Sequence, residues 1–244
     1  MNAQVHQIIH QKREWHYQPG REDRARGFRG WHSRGFLPHF DAPDIRQMIT
    51  YRLADAMPVT RRREWAALLA MEDEREKRIQ IEKYLDRGFG ESYLRESAIA
   101  KMVQDNLLRL DGHAYRLLAW CIMPNHVHVL IEIRGVPLAR ILKTWKWYTA
   151  QQANLILRRS GRFWAPDYFD RYIRDAEHFR KAVRYIENNP VKAGLVREPQ
   201  NWTWSSASHR TPQTDWSAES LSACAVPSNA HMRGQAVRAP IQMR

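Results

Sequence analysis

Residues 115–133 read YRLLAWCIMPNHVHVLIEI: two dense runs of β-prone residues, 115–122 and 126–133, divided by Met123-Pro124-Asn125. Runs of this kind on either side of so short a turn predict an antiparallel pair. Alternation along the second run sends His126 and His128 to one face, while Val127 and Val129 point the other way into a core. Two imidazoles side by side on a strand offer two fixed nitrogen donors to a metal ion. A solvent-facing strand with two histidines fits the same pattern, so the pair gains weight only from what surrounds it.

Toward the N-terminus, 44–53 (DIRQMITYRL) has the loose alternation of a first strand. Pro58 and Thr60 then introduce a highly charged helical segment, 61–86, with Trp65, Leu68, Leu69, Ile79 and Ile81 as its apolar residues, broken by Gly88 and Gly90. A second helix over 96–109 spaces Ile99, Met102, Val103 and Leu107 helically and stops at Asp111-Gly112. Toward the C-terminus follow a long helix, 137–158, a short strand, 168–173, and a helix over 176–188. Asp175 is the N-cap of that last helix, and Asn189-Pro190 ends it. Strand, helices, hairpin, helix, strand and helix make an α+β domain, an antiparallel sheet with helices on one face. Its expected span is 41–208, with a helical insertion near 61–86.

The flanks differ in composition. Residues 1–40 hold seven Lys/Arg against three acids, interleaved with Trp15, Tyr17, Phe28, Trp31 and Phe36, and sustain no period. They read either as a basic, aromatic arm partly disordered until it meets a partner, or as a leader with a few rings tucked onto the domain. Residues 209–244 form a basic tail, expected to be mobile, with no acid after Glu219. The 244-residue chain carries 39 Lys+Arg against 26 Asp+Glu, a net charge of +13. A field of that sign favours a polyanion, and nucleic acid is the commonest. No long apolar amphipathic anchor points to a membrane instead. The two cysteines, Cys121 and Cys224, build no disulfide framework, and the N-terminus lacks a signal-peptide core, so the expected compartment is the cytoplasm.

A second stretch, DAEHFRKAVRYIENNP (175–190), has Phe179, Ala182, Val183 and Ile186 as its buried stripe. At ~100° per residue, His178, Tyr185 and Asn189 fall within ~40° of one another on the flank of that stripe. A tyrosine there is supported by the core and reaches its edge; equally, it packs and does nothing more.

Taken together, MPNHVHVLIE and RYIENNPVKAGLV, about sixty residues apart and in this order, resemble the REP-associated tyrosine transposases. These belong to the single-tyrosine transposases with a histidine–hydrophobic–histidine motif, here His126-Val127-His128. The resemblance extends from about Phe36 to Trp204 and implies a ferredoxin-like core. It also implies that Tyr185 is the nucleophile, that His126, His128 and Asn189 hold Mg²⁺ or Mn²⁺, and that DNA is cut and rejoined through a 5′-phosphotyrosine. The substrate it implies is single-stranded or hairpin DNA, as short palindromic repeats, handled by a monomer or by a homodimer that trades the tyrosine helix.

Further DNA contacts are expected from Arg140, Lys143, Lys146 and Trp147, which point to one side of the long helix, and from Arg171 and Arg174 before the tyrosine helix. A solvated basic face explains the first four equally well. Tyr168 and Tyr172 are rival nucleophiles in a stretch that reads as packing, and Trp202 and Trp204 close the domain. A histidine-triad hydrolase is excluded, because Leu130 stands where its third histidine is required. A DNA-binding regulator that keeps the fold without cutting is the non-enzymatic alternative.

Overall fold

The computed structural model describes residues 17–33, 38–56, 60, 62–87 and 89–210. In chain order the elements are α1 (Arg21–Arg26), β1 (Gly30–Ser33), β2 (Pro38–Asp41), β3 (Arg46–Arg52), α2 (Arg62–Ala70) and α3 (Glu74–Asp86). Next come α4 (Ser97–Arg109), β4 (Tyr115–Ile122), β5 (His126–Ile133), α5 (Leu138–Ile156), β6 (Phe169–Tyr172), α6 (Ala176–Glu187) and a single turn, α7 (Asn189–Lys192).

Four strands form one sheet in the order β4-β5-β3-β6, antiparallel at each pairing. The core units β3, α4, β4, β5, α5 and β6 thus make the β-α-β-β-α-β path of the ferredoxin-like fold. Helices α4 and α5 share one face, packed on Ile49, Tyr51, Val127, Val129 and Ile131. The tyrosine helix α6 lies on the opposite face, with Phe179, Ala182, Val183 and Ile186 against Leu118, Ala119 and Leu130. Helices on one face therefore describes the ferredoxin-like core, and α6 adds a third layer. Its four apolar residues supply the driving force, and truncating a fully buried ring such as Phe179 costs about 3–5 kcal/mol. A bulge in β4 at Leu118 puts Leu118 and Ala119 in succession under α6 and returns Trp120 to the other face.

The charged insertion is two helices rather than one. Residues 71–73 interrupt it, and the Asp73 carboxylate accepts the backbone N–H of Glu76 at 3.0 Å as α3 begins. Where the insertion returns beside its departure point, Gly90 has φ 92° and a side chain there would lie 2.7 Å from the Asp55 carbonyl.

The arm reading needs correction from Tyr17 onward. Tyr17, Phe28 and Phe40 belong to the main core, and β1 and β2 pair as a hairpin whose second strand packs on β6. A boundary at residue 40 cuts that strand. Buried His39 fastens it: Nδ1 lies 2.5 Å from Asp170, Nε2 lies 3.1 Å from Asp167, and the ring stacks on Tyr168 at 4.3 Å. Gln47 donates to Asp170 at 2.6 Å and so does the Phe40 N–H at 3.0 Å. Periodicity is silent here because two four-residue strands are too short to establish one. Residues 1–16 and 34–37 of the expected arm, Trp15 and Phe36 among them, and 211–244 of the expected tail lie outside the described residues. Among the described residues no helix is long and apolar enough to cross a membrane.

Candidate functional site

Register places the histidines. His126 pairs with Arg52 of β3, and His128 pairs with Thr50 on one side and Cys121 of β4 on the other. Their side chains share the α6 face, roughly 1% exposed each. The two Nε2 atoms meet at 3.0 Å, with the rings nearly perpendicular. Each Nδ1 has a fixed neighbour: Asn125 Oδ1 at 2.7 Å for His126 and Thr50 Oγ1 at 2.8 Å for His128.

Those neighbours decide the tautomers. The Asn125 oxygen only accepts, so His126 Nδ1 carries the hydrogen and its Nε2 keeps a lone pair aimed at His128. Thr50 both donates and accepts. Its hydroxyl therefore allows His128 either to donate from Nε2 to His126 or to turn its own Nε2 lone pair toward the same point. Burial pushes His126 down to about 3. His128 is pushed well below the ordinary range by burial first, then by the unfavourable coupling of its charged form to His126 and Lys192. Both rings are neutral at physiological pH, the state in which imidazole binds a metal.

Helix α6 brings the tyrosine. Asp175 caps it by accepting the His178 N–H at 2.7 Å, and the stripe named above turns Tyr185 toward the sheet. The Tyr185 ring is half-buried and packs edge-on against His128, centroids 5.4 Å apart. The helical path does not end at Pro190. After Asn188 the chain resumes as α7, with Lys192 N–H bonded to the Asn188 carbonyl and Ala193 N–H to that of Asn189, so proline merely sits in a first turn. Tyr185, Asn189 and Lys192, at i, i+4 and i+7, consequently share one face.

Lys192 lies 4.5 Å from the Tyr185 ring centroid. Reasoning from sequence left it out, although it closes the quoted NPVK segment. Asn189 is 1% exposed, and neither its Oδ1 nor its Nδ2 has a hydrogen-bond partner. A buried amide in that state is costly unless something takes it up. Beside Tyr185 an open depression of about 390 Å³ is lined by Lys181, Arg184, Asn188, Val191 and Lys192.

The other expected residues are elsewhere. Arg140, Lys143 and Trp147, whose indole is 61% exposed, line a groove of about 610 Å³ between α5 and the loop before β6. That groove is on the α5 side of the sheet, away from the histidines. Lys146 also reaches it, but its ammonium lies within 3.0–3.4 Å of the carbonyl oxygens of Ala165, Pro166 and Asp167. Three donors and three acceptors make it a clasp for that loop. Arg171 sits opposite Met48, on the histidine face two strands over, and Arg174 is exposed just before α6. Tyr168 is buried against His39, and Tyr172 packs edge-on to Trp31, which leaves Tyr185 as the tyrosine beside the histidines. Trp202 donates to the Ile122 carbonyl at 3.0 Å, closing the sheet edge.

Among the described residues no three of His, Cys, Asp and Glu converge as a metal-binding group. Any ion would have to be held by the two imidazoles with an amide or with the substrate.

Residues 95–189 match the family described as "Transposase IS200 like". A REP-associated tyrosine transposase of Escherichia coli is 25% identical over 108 residues, 44% of this chain and 59% of that protein. The chain resembles the REP-associated tyrosine transposases. A Haemophilus influenzae protein of the same kind is 27% identical over 107 residues, 39% of this chain and 61% of its own length. The chain thus spans about three-fifths of each of these two relatives. A solved REP-associated tyrosine transposase bound to a REP hairpin aligns with a TM-score of 0.44 at 16% identity, covering 74% of this chain and 93% of that one.

Proposed function

We propose that the chain is a metal-dependent endonuclease and strand transferase for single-stranded DNA, a transposase that cuts and rejoins through Tyr185. One observation carries the reading: two neutral, buried imidazoles converge through Nε2 at 3.0 Å, and a half-buried tyrosine packs against them in a chain of net charge +13. The resemblance to the REP-associated tyrosine transposases supports it, and the hairpin held by the solved relative makes palindromic DNA of that type the substrate to try first.

The residues fit a divalent ion. The two Nε2 atoms face each other, His126 with a lone pair and His128 able to present one when Thr50 accepts from its Nδ1, and the unpartnered Asn189 amide offers an oxygen in the adjoining helical turn. His126, His128 and Asn189 would hold Mg²⁺ or Mn²⁺, which when bound supplies Lewis-acid polarisation of a phosphate oxygen. Thr50 and Asn125 fix the rings that would carry it, as outer partners of metal-bound histidines do.

The remaining work falls to α6 and α7. A phenol with an ordinary pKa near ~10 is a poor nucleophile at neutral pH, so the negative charge that develops on its oxygen needs nearby positive charge. Lys192, beside the ring, provides it. Tyr185 Oη bonds to phosphorus and gives its proton to water. The bond from phosphorus to the 3′ oxygen breaks, and that oxygen takes a proton from water. The products are a 5′-phosphotyrosine and a free 3′-hydroxyl. A second 3′-hydroxyl reverses the step, breaking the bond to Tyr185 and joining strands with no nucleotide cofactor, because the phosphodiester energy is conserved.

The test is incubation of end-labelled single-stranded DNA carrying a palindromic hairpin with the protein and Mn²⁺, followed by a denaturing gel. A protease-sensitive, slow-migrating DNA band is expected. Tight binding without any such band on any hairpin tried would favour the non-cleaving regulator.

The Asn189 assignment has its own readout. Asn189→Leu removes an unsatisfied buried amide, so the melting temperature without metal should stay level or rise by about 2–4 °C. The increase that millimolar Mn²⁺ gives the wild type should shrink in the variant. An undiminished increase removes Asn189 from the ligand set.

A further inference from the structure

Arg52 occupies the last position of β3, in register with His126, so its side chain leaves the sheet on the histidine face. It is 9% exposed. Its guanidinium lies 5.0 Å over the ring of Trp65 in α2, and Trp65 in turn packs edge-on to Phe169. The insertion thus forms a wall over the β3–β6 side of the histidine face, across the pair from the side where α6 packs on β4.

The charge on Arg52 is poorly answered. Of its five N–H donors one is paired, with the Leu53 carbonyl at 3.3 Å. Among the described residues no carboxylate forms an ion pair with it. The acid that acts on it from a distance, Asp167, is already engaged with His39 Nε2 and with the Tyr168 N–H. Burial lowers Arg52 to about 10, which still leaves it charged at neutral pH. A guanidinium held in this way, with free donors and a flat aromatic shelf, is suited to an incoming oxyanion. Burying it with so few partners makes little sense for stability alone, since isolated buried charge is destabilising.

We propose that Arg52, shelved by Trp65 of the insertion, is a phosphate-binding residue that takes a backbone phosphate of single-stranded DNA next to the bond that Tyr185 attacks. The inference rests on the nuclease reading above and adds to it. The strand is gripped from two sides, by Lys192 and Tyr185 from α6–α7 and by Arg52 from β3, with the histidine pair between. It also gives the insertion a task, that of holding one cation in place.

The experiment measures binding rather than cleavage, by fluorescence anisotropy of a labelled hairpin with a single-stranded 5′ extension, in EDTA and across a salt series. R52M keeps the packing on Trp65 and removes the charge. It is expected to weaken binding by roughly 10- to 100-fold, the usual range for losing a charge-assisted hydrogen bond, and to lower the log–log salt slope by about one. R52K keeps the slope but binds several-fold more weakly, because the fork is lost. Neutral methylphosphonates, placed one at a time, should expose a single position where wild type loses affinity and R52M loses nothing further.

A folded R52M, judged by its melting curve, that binds with wild-type affinity and slope overturns the proposal while leaving the nuclease reading intact. Failure of wild-type protein to bind the DNA at all overturns both. If R52M does not melt cooperatively, R52K and the methylphosphonate series decide: wild-type affinity and an identical phosphate profile in R52K reject the role.

Discussion

Tyr185→Phe is expected to abolish the covalent protein–DNA adduct, with strand cleavage reduced on the order of 10⁴-fold or more, the scale seen when a nucleophile is removed outright. The substitution deletes one oxygen and leaves the ring that packs on His128, so folding and DNA affinity should remain as in wild type. Both must be measured alongside the adduct. Tyr168→Phe and Tyr172→Phe serve as controls and should leave the adduct in place, since those rings are packed against His39 and Trp31. Adduct formation by Tyr185→Phe at the wild-type rate would move the nucleophile to another residue and leave the edge-on contact as packing.

The second large effect is on stability. His39 is buried between Asp167 and Asp170, and its removal would leave two carboxylates facing a void. His39→Ala should destabilise the fold by about 3–5 kcal/mol, the usual result of deleting one partner from a buried pair. At roughly 2–4 °C per kcal/mol for a domain of this size, that is a fall of about 10 °C in melting temperature. Burial alone would lower the His39 pKa, but hydrogen bonds to Asp167 and Asp170, with their charges, outweigh it and raise the group to about 9. A folded-state value above the unfolded one stabilises fully below about pH 6.5, and the contribution is lost as pH rises through 9. Asp167, held below the ordinary carboxylate range mainly by His39 against the opposing effect of burial, adds a loss at the acid end. Melting curves should therefore show a plateau between about pH 4 and 6.5 and a decline toward pH 9, absent from His39→Ala. A wild-type curve flat from pH 6 to 10 would mean that the imidazole is held neutral.

The contrast between these two regions explains what could be read from sequence. The β4–β5 pair, α4, α5 and α6 were legible because each is long enough for its period to show and each buries one face. The hairpin at Gly30–Asp41 was not, because strands of four residues carry no resolvable alternation and its anchor, the His39–Asp170 contact, spans 131 residues. The break in the insertion at residues 71–73 has no glycine or proline to announce it. Within the site, the histidines and Tyr185 came from motif and spacing. Thr50, Arg52 and Lys192 did not, since the first two join the site only through cross-strand register and the third only because the helical path continues past Pro190.

That continuation has a mechanical meaning. Tyr185, Asn189 and Lys192 ride on one nearly unbroken helical rod, whereas His126, His128, Thr50 and Arg52 are fixed in the sheet. The candidate site is thus split along a seam, with three groups on the helical path and four on the sheet. The tyrosine, the amide and the ammonium share one hydrogen-bonded backbone path, so a displacement of that path carries all three together. Alignment across the seam is set by the apolar footing of the rod on β4 and β5, chiefly Phe179, Val183 and Ile186. For the proposed reaction, side chains that would touch no substrate thereby become its set screws.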